Sequence, residues 1–250
     1  IEGSHIYALA FDGNGQPISS DWPVLISDLS NNQYYESSTI TEDGIFVSFK
    51  DNTSGNYDVY GQHVLFNGSL DLGPSGGAIA NGTGDQKSSS LAYDPGRNEV
   101  FVCYDKNTDL YCNEISLGSN VVHQSFQMAA YDGNQGNPFV YWSGHSFMIS
   151  WEDGRNSTDS NPEQDIYFEE VKNGGFILPA TVYPSVFNQK QERPIIVKYS
   201  TYMYVILWED YRSTGKEFCA NLYGQSFYSP PCHNVGDCNG DGSWNVLDIV

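Results

Sequence analysis

Basic residues are scarce in this chain. Eleven lysines and arginines stand against 31 aspartates and glutamates, which gives 250 residues a formal net charge of −20 and a pI near 4.2. A field of this sign repels nucleic acids and anionic membranes and favours cations. We therefore expect no nucleic-acid partner. Only 17% of the residues are charged, and this composition suits a turn-rich β fold better than a helical one.

Signals of other protein classes are also missing. No run approaches the roughly 18 apolar residues of a membrane span, and no signal peptide is visible. No CxxC pair occurs, and the five histidines show no HxH or HExxH spacing. A zinc centre is therefore not expected.

The five cysteines suggest disulfides. Cys103 and Cys112 fall on two segments that we interpret as adjacent antiparallel strands, so a cross-strand disulfide is predicted. Cys219 with Cys232 would join the last strand to the tail, and Cys238 is left over. An oxidising compartment fits this pattern, so the protein is expected to be secreted and extracellular, or attached to a cell surface. Buried free thiols are the alternative.

A repeat organises residues 1–229. A short aromatic motif recurs five times, and its middle residues lie 53, 51, 56 and 56 residues apart: Ile6, Val59, Leu110, Ile166 and Leu222. An aromatic-apolar motif precedes four of the five: Phe46–Phe49, Phe101–Tyr104, Phe147–Trp151 and Tyr204–Trp208. Further apolar patches and Gly/Asn/Asp turns give about four short strands per period.

A four-stranded unit that recurs every ~50 residues is typical of a β-propeller blade. The sequence therefore predicts an all-β propeller of four-stranded blades, of which about four to five lie within residues 1–229. Residues 230–250 are predicted to form a linker and a calcium loop. A β-sandwich or an array of immunoglobulin-like domains is the alternative fold.

The sequence motif of the repeat resembles that of secreted bacterial propeller repeats, in which W-x-D-x-R is followed by D-I-Y-x-Q. It also resembles TolB-type blades. The segments that carry this resemblance are Trp151-Glu-Asp-Gly-Arg155, Trp208-Glu-Asp-Tyr-Arg212, and the Asp58-Val-Tyr-Gly-Gln62 and Asn221-Leu-Tyr-Gly-Gln225 strands. Phe49 and Tyr104 replace the tryptophan in the first two blades. The resemblance implies a propeller and leaves the activity open.

Paired carboxylates in two repeats allow two interpretations. Glu152 with Asp153, and Glu209 with Asp210, have the composition of a glycosidase acid pair. Because they occupy the same place in successive repeats, we instead interpret Asp153 with Arg155, and Asp210 with Arg212, as turn caps with local ion pairs. We expect no catalytic residue.

Residues outside the repeat are the other candidates. Exposed aromatic side chains would stack on sugar rings, although core packing is an equal alternative for Trp22, Tyr34, Tyr35 and Trp142. The turn after Trp151 is rich in oxygen donors, and a second cation site is the alternative to a solvated loop there. Its donors are Asp153, Asn156, Asp159, Asn161 and Glu163.

The last fourteen residues predict a Ca²⁺ site. Oxygen donors stand at loop positions 1, 3, 5, 7, 9 and 12, with Gly242 at position 6 where an EF-hand loop turns sharply. The predicted ligands are Asp237, Asn239, Asp241, Ser243 (through its carbonyl), Asn245 and Asp248. The segment resembles the first calcium repeat of a type I dockerin. That resemblance implies docking to a cohesin-like protein, or self-assembly, through the tail.

The functional expectation is a secreted, calcium-binding propeller. It would act as a non-catalytic binding or surface module for a polysaccharide or another extracellular polymer. A propeller glycoside hydrolase carried by a dockerin, and a structural repeat of a surface fibre, are the alternatives.

Overall fold

The protein is described here from a computed structural model. It describes residues 3–18, 22–157, 164–172, 175–176, 182–185, 189–212 and 220–229. These residues form 19 strands and no helix, so no helix among them is long or apolar enough to cross a membrane.

The strands form five antiparallel sheets in chain order. The N-terminal sheet pairs β1 (Tyr7–Ala8) with β2 (Val24–Leu25). Blade 1 consists of β3 (Gln33–Ile40), β4 (Gly44–Asp51), β5 (Asp58–Leu65) and β6 (Gly77–Ala80). Blade 2 consists of β7 (Gln86–Asp94), β8 (Glu99–Lys106), β9 (Asp109–Ser116), β10 (Val121–Val122) and β11 (Phe126–Ala129).

Blade 3 consists of β12 (Gln135–Trp142), β13 (Phe147–Asp153), β14 (Asp165–Lys172), β15 (Gly175–Phe176) and β16 (Val182–Ser185). Blade 4 contains β17 (Gln191–Lys198), β18 (Met203–Asp210) and β19 (Asn221–Tyr228). In blades 2 and 3 the fourth strand is split, because two short strands pair with the same edge of β9 or β14.

The core lies between successive blades. On β8, Val100 and Val102 pack toward blade 1, whereas Phe101 and Cys103 pack toward blade 3. Because side chains alternate along a strand, each middle strand contributes to two clusters, and a single sheet buries both faces only when neighbours cover them. The same alternation joins the N-terminal sheet to blade 1 and blade 3 to blade 4.

The predicted disulfide between Cys103 and Cys112 is confirmed. The two residues are register partners on β8 and β9, their Cα atoms lie 4.0 Å apart, and the sulfurs are bonded. Cys219, Cys232 and Cys238 lie outside the described residues, as do residues 230–250 with all six predicted calcium ligands.

The first strands of the blades surround the molecular axis. β3 contacts β7, β7 contacts β12, and β12 contacts β17. Each of these inner strands carries a β-bulge about three residues from its start, between Tyr35 and Ser37, Lys87 and Ser90, Gly136 and Phe139, and Glu192 and Ile195. The bulges interrupt pairing and free backbone N–H groups.

Candidate active site

A cavity of about 380 Å³ lies where the four bulges meet. Its lining includes Tyr35, Glu36, Ser88, Asn137 and Arg193, which come from all four inner strands. The last three adopt left-handed backbone conformations, with φ between 48° and 54°. Such values are uncommon outside glycine, and here they turn an N–H group of each bulge toward the preceding blade.

A carboxylate of the preceding blade accepts each of these N–H groups. Glu36 of blade 1 accepts from the N–H groups of Ser88 (2.9 Å) and Ser89 (2.6 Å). Asp105 of blade 2 accepts from the N–H of Asn137 at 3.0 Å. Bulge geometry and acidic side chains thus bind neighbouring blades together around the cavity.

The pattern continues into blade 4. Glu152 accepts from the N–H of Arg193 and from the side-chain amide of Asn137, both at 2.9 Å. The guanidinium of Arg193 donates to Glu209 at 3.1 Å, in an exposed ion pair. We call this alternating series the axial arc, and it consists of Glu36, Ser88, Asp105, Asn137, Glu152, Arg193 and Glu209.

Two carboxyls of the axial arc have raised pKa values. Burial raises the pKa of Asp105 to about 7, and the negative charge of Glu36 adds to this, while hydrogen bonds from the Ser88 side chain and the Asn137 N–H oppose it. Burial also raises the pKa of Glu152, against the hydrogen bonds from Arg193 and Asn137. A carboxyl with a pKa near 7 is partly protonated at neutral pH and can donate a proton.

Asp105 and Glu36 are linked through one residue. Ser88 donates its backbone N–H to Glu36, and its side-chain hydroxyl lowers the pKa of Asp105. Glu36 also pairs with the ammonium group of Lys50 at 3.5 Å. Glu36 thus lines the cavity itself, whereas Asp105 reaches the cavity wall through its hydrogen bond with Asn137.

The glycosidase-like pairs of the sequence do not act as pairs in the structure. Asp153 lies on the opposite face of β13 from Glu152 and accepts from the indole N–H of Trp151 and from the backbone and guanidinium of Arg155. Asp210 repeats this arrangement with Trp208 and Arg212. The predicted turn caps and ion pairs are confirmed. The glutamates instead belong to the axial arc.

The aromatic candidates separate into two groups. Trp22 is buried, and Trp142 is partly buried and packs against Phe147. Tyr34 and Tyr35 are exposed, and Tyr35 lines the axial cavity with 58% of its surface accessible.

The proposed cation site after Trp151 is only partly described. Asp159, Asn161 and Glu163 lie outside the described residues. Asp153 is paired with Arg155, and Asn156 donates to Asp165 and to the Tyr167 hydroxyl.

Sequence reasoning missed Glu36, Asp105, Ser88 and Asn137. One signal was present in the sequence. The same place in four repeats, directly before the last residue of the second strand, is occupied by Lys50, Asp105, Glu152 and Glu209. A second signal was the buried glutamine that starts every inner strand, at Gln33, Gln86, Gln135 and Gln191. In each inner strand the β-bulge follows this glutamine within a few residues.

No protein-family model matches the sequence, and no curated protein is similar to it by sequence. Among solved structures, an exo-1,5-alpha-L-arabinanase from a bovine ruminal metagenomic library is 8% identical, with 90% of this chain and 89% of that chain covered and a TM-score of 0.51. A neuraminidase-like protein of subtype N10 from A/little yellow-shouldered bat/Guatemala/060/2010 is 13% identical over 78% and 58%, with a TM-score of 0.50. An endo-arabinase from Bacteroides thetaiotaomicron is 11% identical over 77% and 74%, with a TM-score of 0.47.

The chain is an all-β propeller. The fold prediction is confirmed, and the sandwich alternative is excluded. The prediction of a non-catalytic binding module is wrong, because the similar solved propeller that covers 90% of this chain is an exo-1,5-alpha-L-arabinanase. Nothing in the comparisons supports the TolB-type or dockerin resemblance or a cohesin-like partner.

Proposed function

We propose that the protein is a propeller glycoside hydrolase that cleaves a polysaccharide at the axial cavity. The observation that carries this proposal is Asp105, an inter-blade carboxyl whose pKa is about 7 and whose hydrogen-bond partners line the cavity. Glycoside hydrolysis needs one carboxyl that gives a proton to the leaving oxygen and a second, ionised carboxylate.

The roles follow from the two environments. Asp105 is the general acid, because burial keeps its proton in place near neutral pH. Glu36 is the second carboxylate, since Lys50 and two backbone N–H groups stabilise its negative charge. Tyr35 offers an exposed ring at the cavity rim for stacking against a sugar.

The test is release of reducing ends from a polysaccharide panel that includes arabinan. The wild type should hydrolyse at least one polymer, and Asp105→Asn should lower kcat by about 10²- to 10⁴-fold, the usual contribution of a general acid. Glu169→Gln is the matched control, because Glu169 is also buried with a pKa raised to about 7 but lies on β14, outside the axial arc. Activity against no polymer, or equal activity in both variants, would contradict the proposal.

Secretion and the calcium tail remain part of the same proposal. The disulfide Cys103–Cys112 supports export to an oxidising compartment. The donor set Asp237, Asn239, Asp241, Ser243, Asn245 and Asp248 has the hard-oxygen chemistry of a Ca²⁺ loop, and a dockerin-like role in attachment depends on it. Titration calorimetry should detect Ca²⁺ binding that Asp237→Ala weakens.

A further inference from the structure

A basic side chain occupies the same corner of blades 2, 3 and 4, where the second strand ends and the third begins. Arg155 lies 3.9 Å from the ring centre of Tyr167, and Arg212 lies 4.4 Å from that of Tyr223. Lys106 lies 5.4 Å from the ring centre of Tyr111. In blades 3 and 4 the cation also neutralises the buried carboxylates of Asp153 and Asp210.

The corner of blade 1 has the same backbone but no such cation. Asp51 occupies the position of Asp153, and its carboxylate accepts from the N–H of Thr53 at 2.6 Å, as Asp153 does from the N–H of Arg155. Threonine therefore stands where blades 3 and 4 place arginine, and Phe49 stands where these two blades place the tryptophan whose indole N–H is a donor. Within the described ranges, no lysine or arginine lies over the ring of Tyr60 or pairs with Asp51.

Buried oxygen atoms in this corner lack donors. Oδ2 of Asp51, Oε1 of Gln33 and Oδ1 of Asn52 are buried and unpartnered, and Asp51 and Gln33 are 1% and 3% exposed. Asp51 has two register partners, Gln33 on β3 and Asp58 on β5. Asp58 is only 2% exposed. Two buried carboxylates without a cation cost several kcal/mol in desolvation alone.

Tyr60 also lacks the cation that its counterpart in blade 3 receives. Tyr60 pairs in register with Phe49 of β4 as Tyr167 pairs with Trp151 of β13, and Arg155 lies over the ring of Tyr167. Among the described residues, no group of three or more His, Cys, Asp or Glu side chains is placed to hold a metal ion. The corner instead combines two carboxylates with amide oxygens, a donor set suited to a hard cation.

We propose that the corner of blade 1 binds a Ca²⁺ ion, which takes the place of the arginine of blades 3 and 4. Asp51, Gln33 and Asn52 supply the unpartnered oxygens, and Asp58 supplies further negative charge. Ca²⁺ accepts six to eight oxygens in flexible arrangements, so water completes the shell. This site is separate from the predicted loop at residues 237–248 and from the axial cavity.

The test uses a background in which Asp237→Ala and Asp241→Ala remove the tail ligands. In this background, titration calorimetry should detect one Ca²⁺ per chain, and Ca²⁺ should raise Tm because it binds the folded state alone. Asp51→Asn should abolish both responses. Thr53→Arg should abolish them too but keep a high Tm without Ca²⁺, because its guanidinium fills the corner.

Three outcomes would overturn the site. The first is that the background protein binds no Ca²⁺. The second is that Thr53→Arg still binds Ca²⁺ and still gains Tm from it. The third is that NaCl at equal ionic strength raises Tm as much as Ca²⁺, which would indicate screening of surface charge. Since Thr53 is exposed, its variant tests the site even where Asp51→Asn impairs folding.

Discussion

Glu152 and Asp153 are neighbours on β13, yet they belong to two regions with different chemistry. Asp153 lies in the blade corner, where the guanidinium of Arg155 and the indole of Trp151 neutralise and orient it. Glu152 lies in the axial arc, where its partners are an N–H group and an amide, and burial raises its pKa. A cation partner thus keeps a buried acid in a structural ion pair, whereas burial beside uncharged donors raises the pKa of the acid.

Removing the corner acid has the largest expected effect on stability. Asp153→Ala leaves the partly buried Arg155 without its counter-ion, so the free energy of unfolding should fall by about 3 kcal/mol. Glu152→Gln is the matched control on the same strand and should change it by about 1 kcal/mol or less, because one hydrogen bond is weakened while a buried charge is removed. Urea unfolding of both variants measures the difference, and equal losses would remove the distinction between the regions.

Stability should depend on pH through the axial arc. The folded-state pKa of Asp105, about 7, lies above its ordinary value of 3.8, so the folded state binds this proton more tightly than the unfolded state. Its contribution to stability is present below about pH 4 and is lost as pH rises toward 7. Asp105→Asn should therefore gain stability relative to the wild type between pH 4 and pH 8. Denaturant unfolding at both pH values tests this, and a constant difference would argue against the raised pKa.

The smallest effect is expected at the end of the axial arc. The side chain of Arg193 is 74% exposed and that of Glu209 35% exposed, so solvent screens their pairing. Glu209→Gln should change the free energy of unfolding by less than about 1 kcal/mol. A larger loss of stability in thermal or urea unfolding would mean that Glu209 makes a buried contact like that of Glu152.

Much of the fold could be predicted from the sequence, because the repeats at Phe46, Phe101, Met148 and Val205 place the same core strand in every blade. The corners were predictable as well, since Asp153 and Arg155 are two residues apart. The axial arc was not predictable in this way. Its partners lie on different blades, such as Glu152 with Arg193, and the glutamine that starts each inner strand does not indicate which residue, such as Ser88 or Asn137, takes the positive φ of the bulge.

The pH dependence of kcat/KM on a cleaved polysaccharide tests the central claim most directly. If Asp105 is the general acid, kcat/KM should fall as pH rises past about 7, approaching tenfold per pH unit as its proton is lost. A value that stays constant from pH 6 to pH 9, together with full activity in Asp105→Asn, would contradict the assignment of the axial arc as the active site.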